Sequence, residues 1–183
     1  MLDGTLGLRV QAFTGNLGTG FFTLTAAATF GQLSATSGSD AAAFDGDATL
    51  AIDTTDPVLL DSTVSGSSLK VTLNGETATL SNYAVTTSTD ITNPNDFDES
   101  LEAVGTITSA ALGGRIDLDT IAPLLQRDSE TAPRSGQFTI TGAGGSHVDV
   151  TVTTGGAVTL DIDDNGDNVV DDTINTTWAA LFN

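Results

Sequence analysis

The chain is written in short alternations of apolar and polar residues, the period-two signature of half-buried β-strands. The clearest case is Leu69, Val71 and Leu73 alternating with Lys70 and Thr72. Asn74-Gly75 then supplies the two-residue turn whose twist matches that of the flanking strands, and Ala78 and Leu80 return against Thr77 and Thr79. A second hairpin runs through Val148, Val150 and Val152, turns at Thr154-Gly155-Gly156 and returns through Val158, Leu160 and Ile162. Its other face carries Asp149, Thr151, Thr153 and Thr159. Further strands are expected around residues 6–13, 21–25, 48–53, 60–64, 104–109, 114–118 and 137–141. Many short strands joined by tight turns predict an all-β fold, an antiparallel β-sandwich or an up-and-down barrel, in a single domain spanning residues 1–183.

Three stretches interrupt this pattern. Residues 26–43, rich in Ala, Ser, Gly and Thr, read as a loop with a short helix. Residues 86–99 read as a long loop around the turn Asn93-Pro94-Asn95-Asp96, and residues 120–135, with Pro123 and Pro133, as a loop with one helical turn over 121–126. Residues 176–182 predict a short C-terminal helix, capped by a threonine, whose apolar face of Trp178, Leu181 and Phe182 closes one end of the core. Trp178, the only tryptophan, is expected to be mostly buried. The two hairpins over 66–80 and 145–160 also resemble each other at an offset of about 80 residues. Internal duplication is one reading; the other is that any two amphipathic hairpins of Thr and Val look alike.

Charge narrows the set of partners. Twenty-four acidic residues against five basic ones give a formal charge of −19. Nucleic acid and anionic membrane surfaces are therefore poor partners, while cations are concentrated near the protein. Only four of the acids are glutamate, and threonine reaches 31 residues. Asp favours turns and oxygen-ligand metal loops, and Thr suits exposed strand faces. There is no cysteine, hence no disulfide framework or thiolate chemistry. No apolar run is long enough for a membrane helix, so membrane insertion is not expected. Met1-Leu2-Asp3-Gly4 lacks the features of a signal peptide, which suggests a processed or truncated chain.

The densest chemistry lies in Asp161-Ile162-Asp163-Asp164-Asn165-Gly166-Asp167-Asn168-Val169-Val170-Asp171-Asp172. Calcium takes six to eight hard oxygen ligands, and alternate residues in a tight turn aim several carboxylates at one point. Two registers fit. One uses Asp161, Asp163 and Asn165, a bend at Gly166, the Asp167 carbonyl and Asp172. The other uses Asp163, Asn165, Asp167, the Val169 carbonyl and Asp171. The candidate metal ligands are therefore Asp161, Asp163, Asn165, Asp167, Asp171 and Asp172, with Ca2+ as the cofactor. The alternative is a solvated acidic turn.

This segment resembles the DxDxDG calcium loops of EF-hands, dockerins and thrombospondin type 3 repeats. The run Asp163-x-Asn165-Gly166-Asp167-x-x-x-Asp171 is similar to the calcium repeats of extracellular bacterial proteins. The resemblance covers about 12 residues and implies structural calcium outside the cytoplasm. The segment lacks a closing glutamate and follows a strand, unlike an EF-hand. The ending, an acidic loop followed by Thr-Trp and a short apolar tail, is also similar to those of some bacterial surface and periplasmic proteins.

Catalytic signals are sparse. His147 is the only histidine, which excludes a histidine-based zinc site, and no G-x-S-x-G elbow or phosphate-binding loop occurs. Asp45 and Asp47 flank Gly46 and could serve as a carboxylate pair, although acids around a turn glycine are usually structural. The expectation is a non-enzymatic, calcium-stabilised structural, adhesive or assembly domain of the cell surface, periplasm or extracellular space, partnered by calcium and by itself, a surface glycan or a protein. A carbohydrate-binding β-sandwich with exposed Tyr83 and Phe residues is the alternative, and an Asp-based hydrolase comes third.

Overall fold

Alternation extends further than the short runs above suggest, because β-bulges reset it within long strands. The computed structural model describes residues 1–181. It contains β1 (Leu2–Asn16), β2 (Phe21–Ser37), β3 (Asp40–Asp53), β4 (Leu59–Leu73), β5 (Glu76–Asp90), β6 (Asp98–Ser109), β7 (Gly114–Arg127), β8 (Ser135–Thr141), β9 (His147–Thr153), β10 (Ala157–Asp163), β11 (Asp172–Thr177) and the one-turn helix α1 (Trp178–Leu181). Each strand pairs antiparallel with the next, giving one eleven-stranded sheet in sequence order.

The protein is thus all-β, with a short helix at the C-terminal end as expected, but the sheet is neither a sandwich nor a closed barrel. A sandwich needs connections that carry the chain to a second sheet, whereas every connection here returns directly to the neighbouring strand. Closure would bring β1 beside β11, and these two strands run in the same direction because eleven is odd.

The residues paired across the sheet separate two faces. Leu8–Ala28–Ala48 and Val10–Ala26–Leu50–Val64–Val85 form ladders on one face. Phe138–Val150–Leu160–Ile174 continues that face at the other end. Thr, Ser and Asp dominate the opposite face, where Thr63 and Thr86 hydroxyls meet at 3.1 Å.

The expected interruptions resolve mostly as strand. Residues 26–43 belong to β2 and β3, because Ala26 and Ala28 sit between Val10 and Leu8 on one side and Leu50 and Ala48 on the other. Pairing on both flanks overrides the helix preference of alanine. Residues 120–127 also stay in β7, where bulges accommodate Pro123 and no helical turn forms. Residues 86–90 continue β5, and the Asn93-Pro94 turn is confined to the connection that follows, closed by the Asp96 amide donating to the Asn93 carbonyl at 3.1 Å. Both compared hairpins form, but one joins strands of 15 residues and the other strands of seven.

Burial is concentrated at the C-terminal end. Val150, Val152 and Val158 are buried together, with Leu124, Phe138, Val148, Leu160 and Trp178 packed on them. Trp178 is only half-buried, because α1 is a single turn laid on the rim of this cluster; the Thr177 hydroxyl caps it by accepting from the Ala180 amide at 3.3 Å. Phe182, assigned to the same apolar face, lies outside the described residues. At the other end, every residue of β1 is exposed.

Candidate functional site

The acidic loop connects β10 to β11 and is organised around one carboxylate. Asp163 ends β10 opposite His147 of β9 and is only 2 % exposed. Its Oδ1 accepts from the amides of Asn165 at 3.1 Å and Gly166 at 2.6 Å, and its Oδ2 from the amide of Asn168 at 2.7 Å. Burial by itself would raise the Asp163 pKa. The three amides and the nearby His147 outweigh it and hold the carboxyl below its ordinary value.

The rest of the loop follows from that hub. The side chains of Asn165 and Asp167 each accept from the amide two residues on, at 2.9 Å, which winds the backbone into successive Asx turns. Gly166 bends with φ +79°, and a Cβ there would lie 2.5 Å from the Gly144 carbonyl oxygen. Glycine is therefore required both for conformation and for packing on the turn before β9. Asp171 returns to the start of the loop: its amide donates to the Ile162 carbonyl at 2.7 Å and its Oδ2 accepts from the Asp164 amide at 3.0 Å.

Of the six candidate ligands, Asp163, Asn165, Asp167 and Asp171 lie at or within the turn between β10 and β11. Asp161 and Asp172 sit on the flanking strands, where Asp161 accepts from the Thr173 hydroxyl at 2.7 Å and Asp172 from the Thr173 amide at 2.8 Å. Two participants were not legible from spacing. Asp164 has a raised pKa because its carboxyl is hydrogen-bonded to Asp171 and lies in the field of Asp171, with burial and then Asp163 and Asp167 adding to it. His147 stands between carboxylates, with Nδ1 3.6 Å from Asp163 and Nε2 3.8 Å from Asp149. The signal for His147 was available in the hairpin register, which turns at Gly155-Gly156 and sets 147 opposite 163.

The donor set suits a hard cation in chemistry. It is all oxygen, and a carboxylate offers about four lone-pair sites, of which the amides use three at Asp163. Among the described residues, however, no group of three or more His, Cys, Asp or Glu side chains is already gathered tightly enough to hold a metal. Asp164 and Asp171 are left side by side at the mouth of the loop, repelling each other when both are ionised.

The other candidate acids are occupied structurally. Asp47 accepts from the Ser67 amide at 2.9 Å, the Ser67 hydroxyl at 2.5 Å and the Ser68 amide at 3.2 Å, while Asp45 accepts from the Gln32 amide at 3.2 Å. Each carboxylate is engaged at a different bulge. Tyr83 is buried, 7 % exposed, and its hydroxyl donates to the Asp47 carbonyl at 2.8 Å, so it is not an exposed sugar platform. Near α1, a cleft of about 450 Å³ is lined by Trp178, Leu101, Leu124, Glu99 and Gln126, among others. Among the described residues no helix is long and apolar enough to cross a membrane. No protein-family model, curated protein or solved structure matches the chain.

Proposed function

We propose that this is a non-enzymatic structural and assembly domain of an ion-rich extracellular or periplasmic space, with calcium stabilising the turn between β10 and β11. The observation that carries the reading is the Asp163 hub, a buried carboxylate that pre-shapes an all-oxygen turn while Asp164 and Asp171 repel each other beside it. A divalent cation would remove that repulsion. Asp163, Asn165, Asp167 and Asp171 would hold it, which favours the second of the two registers. The structural role is supported by the long sheet and by the structural engagement of Asp45, Asp47 and Tyr83.

The test is a thermal melt with calcium at about 5 mM, several times the roughly 1 mM upper dissociation constant of extracellular modules, against EGTA. Asp171→Asn is the informative variant, because it leaves the Asp163 hub intact. The expected result is a calcium-dependent stabilisation on the order of 1 kcal/mol, seen as a rise in Tm that this substitution abolishes. Equal melts with and without calcium overturn the calcium role.

The cleft beside Trp178 favours a second reading, a small carbohydrate held on the indole with Glu99 and Gln126 as polar contacts. Titration of a glycan panel against the fluorescence of the single tryptophan tests it; no quenching by any sugar rejects it.

A further inference from the structure

We infer that β1 is the contact by which two copies of this chain pair, edge to edge and antiparallel, joining their sheets into one. This names a partner for the assembly role proposed above and rests on that role, but not on the calcium loop, which lies at the opposite end of the sheet.

Four observations lead to it. First, the area is large. The molecule exposes 10,929 Å², whereas a compact monomer of 18.5 kDa exposes about 8,200 Å². The excess of about 2,700 Å² is that of a single-layered sheet, and β1, exposed along its whole length, contributes to it.

Second, the exposure includes an open edge, bulged at Asp3–Thr5 and Val10–Ala12 and covered by no other element among the described residues. β1 is 15 residues long, contains no proline, and has its outer side unpaired. Leu2, Leu6, Leu8 and Val10 are 50–75 % exposed on one face of it. Such an edge is a template for strand addition unless something covers it. The other edge, β11, is six residues long and lies between the acidic loop and α1.

Third, charge selects where copies can meet. Residues 1–39 carry Asp3 and Arg9 and no other charged side chain, so the whole formal charge of −19 resides from Asp40 onward. Two copies repel each other except through the β1–β2 hairpin. Arg9 has no ion-pair partner among the described residues, and the Asp3 carboxylate accepts only from the adjacent Gly4 amide at 2.9 Å.

Fourth, topology and register agree. A two-fold axis normal to the sheet sets β1 antiparallel to its counterpart and keeps both apolar faces on the same side. Setting β1 against β11 of another copy instead gives either a parallel pair or reversed faces, because the two strands run alike. Centring the two-fold on Leu6 sets Leu2 opposite Val10, Leu6 opposite itself and Asp3 opposite Arg9, twice. Centring it on Arg9 would overlap more of the strand but oppose two guanidinium groups. Opposite charges directly across strands stabilise and like charges destabilise, so the Leu6 register is selected.

The experiment is sedimentation equilibrium of the full chain from about 1 to 100 µM, bracketing a micromolar complex, in calcium and in EGTA. The unmodified chain is expected to dimerise. Arg9→Glu, which sets Glu against Asp3 twice, should weaken the dimer roughly tenfold or more, and Asp3→Arg should do the same. The double exchange Asp3→Arg with Arg9→Asp should restore it. Far-UV circular dichroism checks that the variants keep the sheet. A monomer throughout the range overturns the inference, as does a dimer indifferent to Arg9→Glu or one the double exchange does not restore. A monomer whose melting still responds to calcium would sink this contact and leave the calcium reading standing; a dimer without a calcium response does the reverse.

Discussion

Tyr83 ties three strands together, and its removal should show how this open sheet holds its shape. The ring leaves β5, lies over Gly66 of β4, and its hydroxyl reaches the Asp47 carbonyl of β3 at 2.8 Å. A Cβ added to Gly66 would lie 2.5 Å from the tyrosine oxygen and 2.6 Å from the Asp47 carbonyl oxygen; one added to Gly105 would meet the Tyr83 Cβ at 2.9 Å. The two glycines make the slot that the ring fills, at a point where β5 carries a bulge and Asn82 adopts φ +48°. A buried aromatic covers roughly 150–250 Å², and truncating one in a core costs about 3–5 kcal/mol. Tyr83→Phe removes only the hydrogen bond, about 1 kcal/mol. Urea denaturation should therefore rank Tyr83→Ala far below Tyr83→Phe, with a fall in Tm of roughly 6 °C or more for the alanine variant, given about 2–4 °C per kcal/mol at this size. Gly66→Ala should destabilise the native protein and cost less in the Tyr83→Ala background, though not nothing, since the Asp47 carbonyl remains in the way. A loss below about 1 kcal/mol for Tyr83→Ala, or strict additivity of the two substitutions, would refute the claim that ring and slot act together.

Acid should destabilise the fold through Asp163 and Asp98. Asp98 is held low chiefly by its hydrogen bond to Arg134, with Arg127 adding to it, and Asp163 is held low because its amide bonds and His147 outweigh burial. A carboxylate with a depressed folded pKa stabilises fully above its unfolded value near 3.8 and loses that contribution as pH falls through the lower folded value. Tm should be flat above roughly pH 5 and decline below it; a flat profile down to roughly pH 2 contradicts this. Asp164 has the opposite sign, since its raised pKa makes the ionised form costly in the folded state. Asp164→Asn should raise Tm in EGTA at neutral pH, and the gain should vanish once both forms are protonated; an equal gain at both pH values speaks against charge repulsion. Val152→Ala, at the centre of the small core, should cost about 2 kcal/mol and red-shift the emission of Trp178, which packs on that cluster. Unchanged stability and emission would show that the cluster does not anchor this end.

The alternation of Leu69, Val71 and Leu73, the Asn74-Gly75 turn, the His147–Asp163 hairpin and the glycine bend within the aspartate run are all properties of a few adjacent residues, and the sequence by itself determined them. Steric preference and period-two patterning act locally, so they can be read locally. Long-range pairing decided the rest. Ala26 and Ala28 became strand because Leu8, Val10 and Leu50 lie beside them. Asp161 and Asp163 stand two residues apart in the same run, yet the end of the β10–β11 ladder leaves one bonding a strand threonine and makes the other the hub of a turn. Tyr83 was buried by glycines that enter from β4 and β6, a match of shape invisible in either strand alone. That the sheet stays open, and that its net-neutral β1–β2 hairpin lies at one edge, follows from the order and number of strands. No window of sequence contains that order, because each strand finds its neighbours only when the whole sheet assembles.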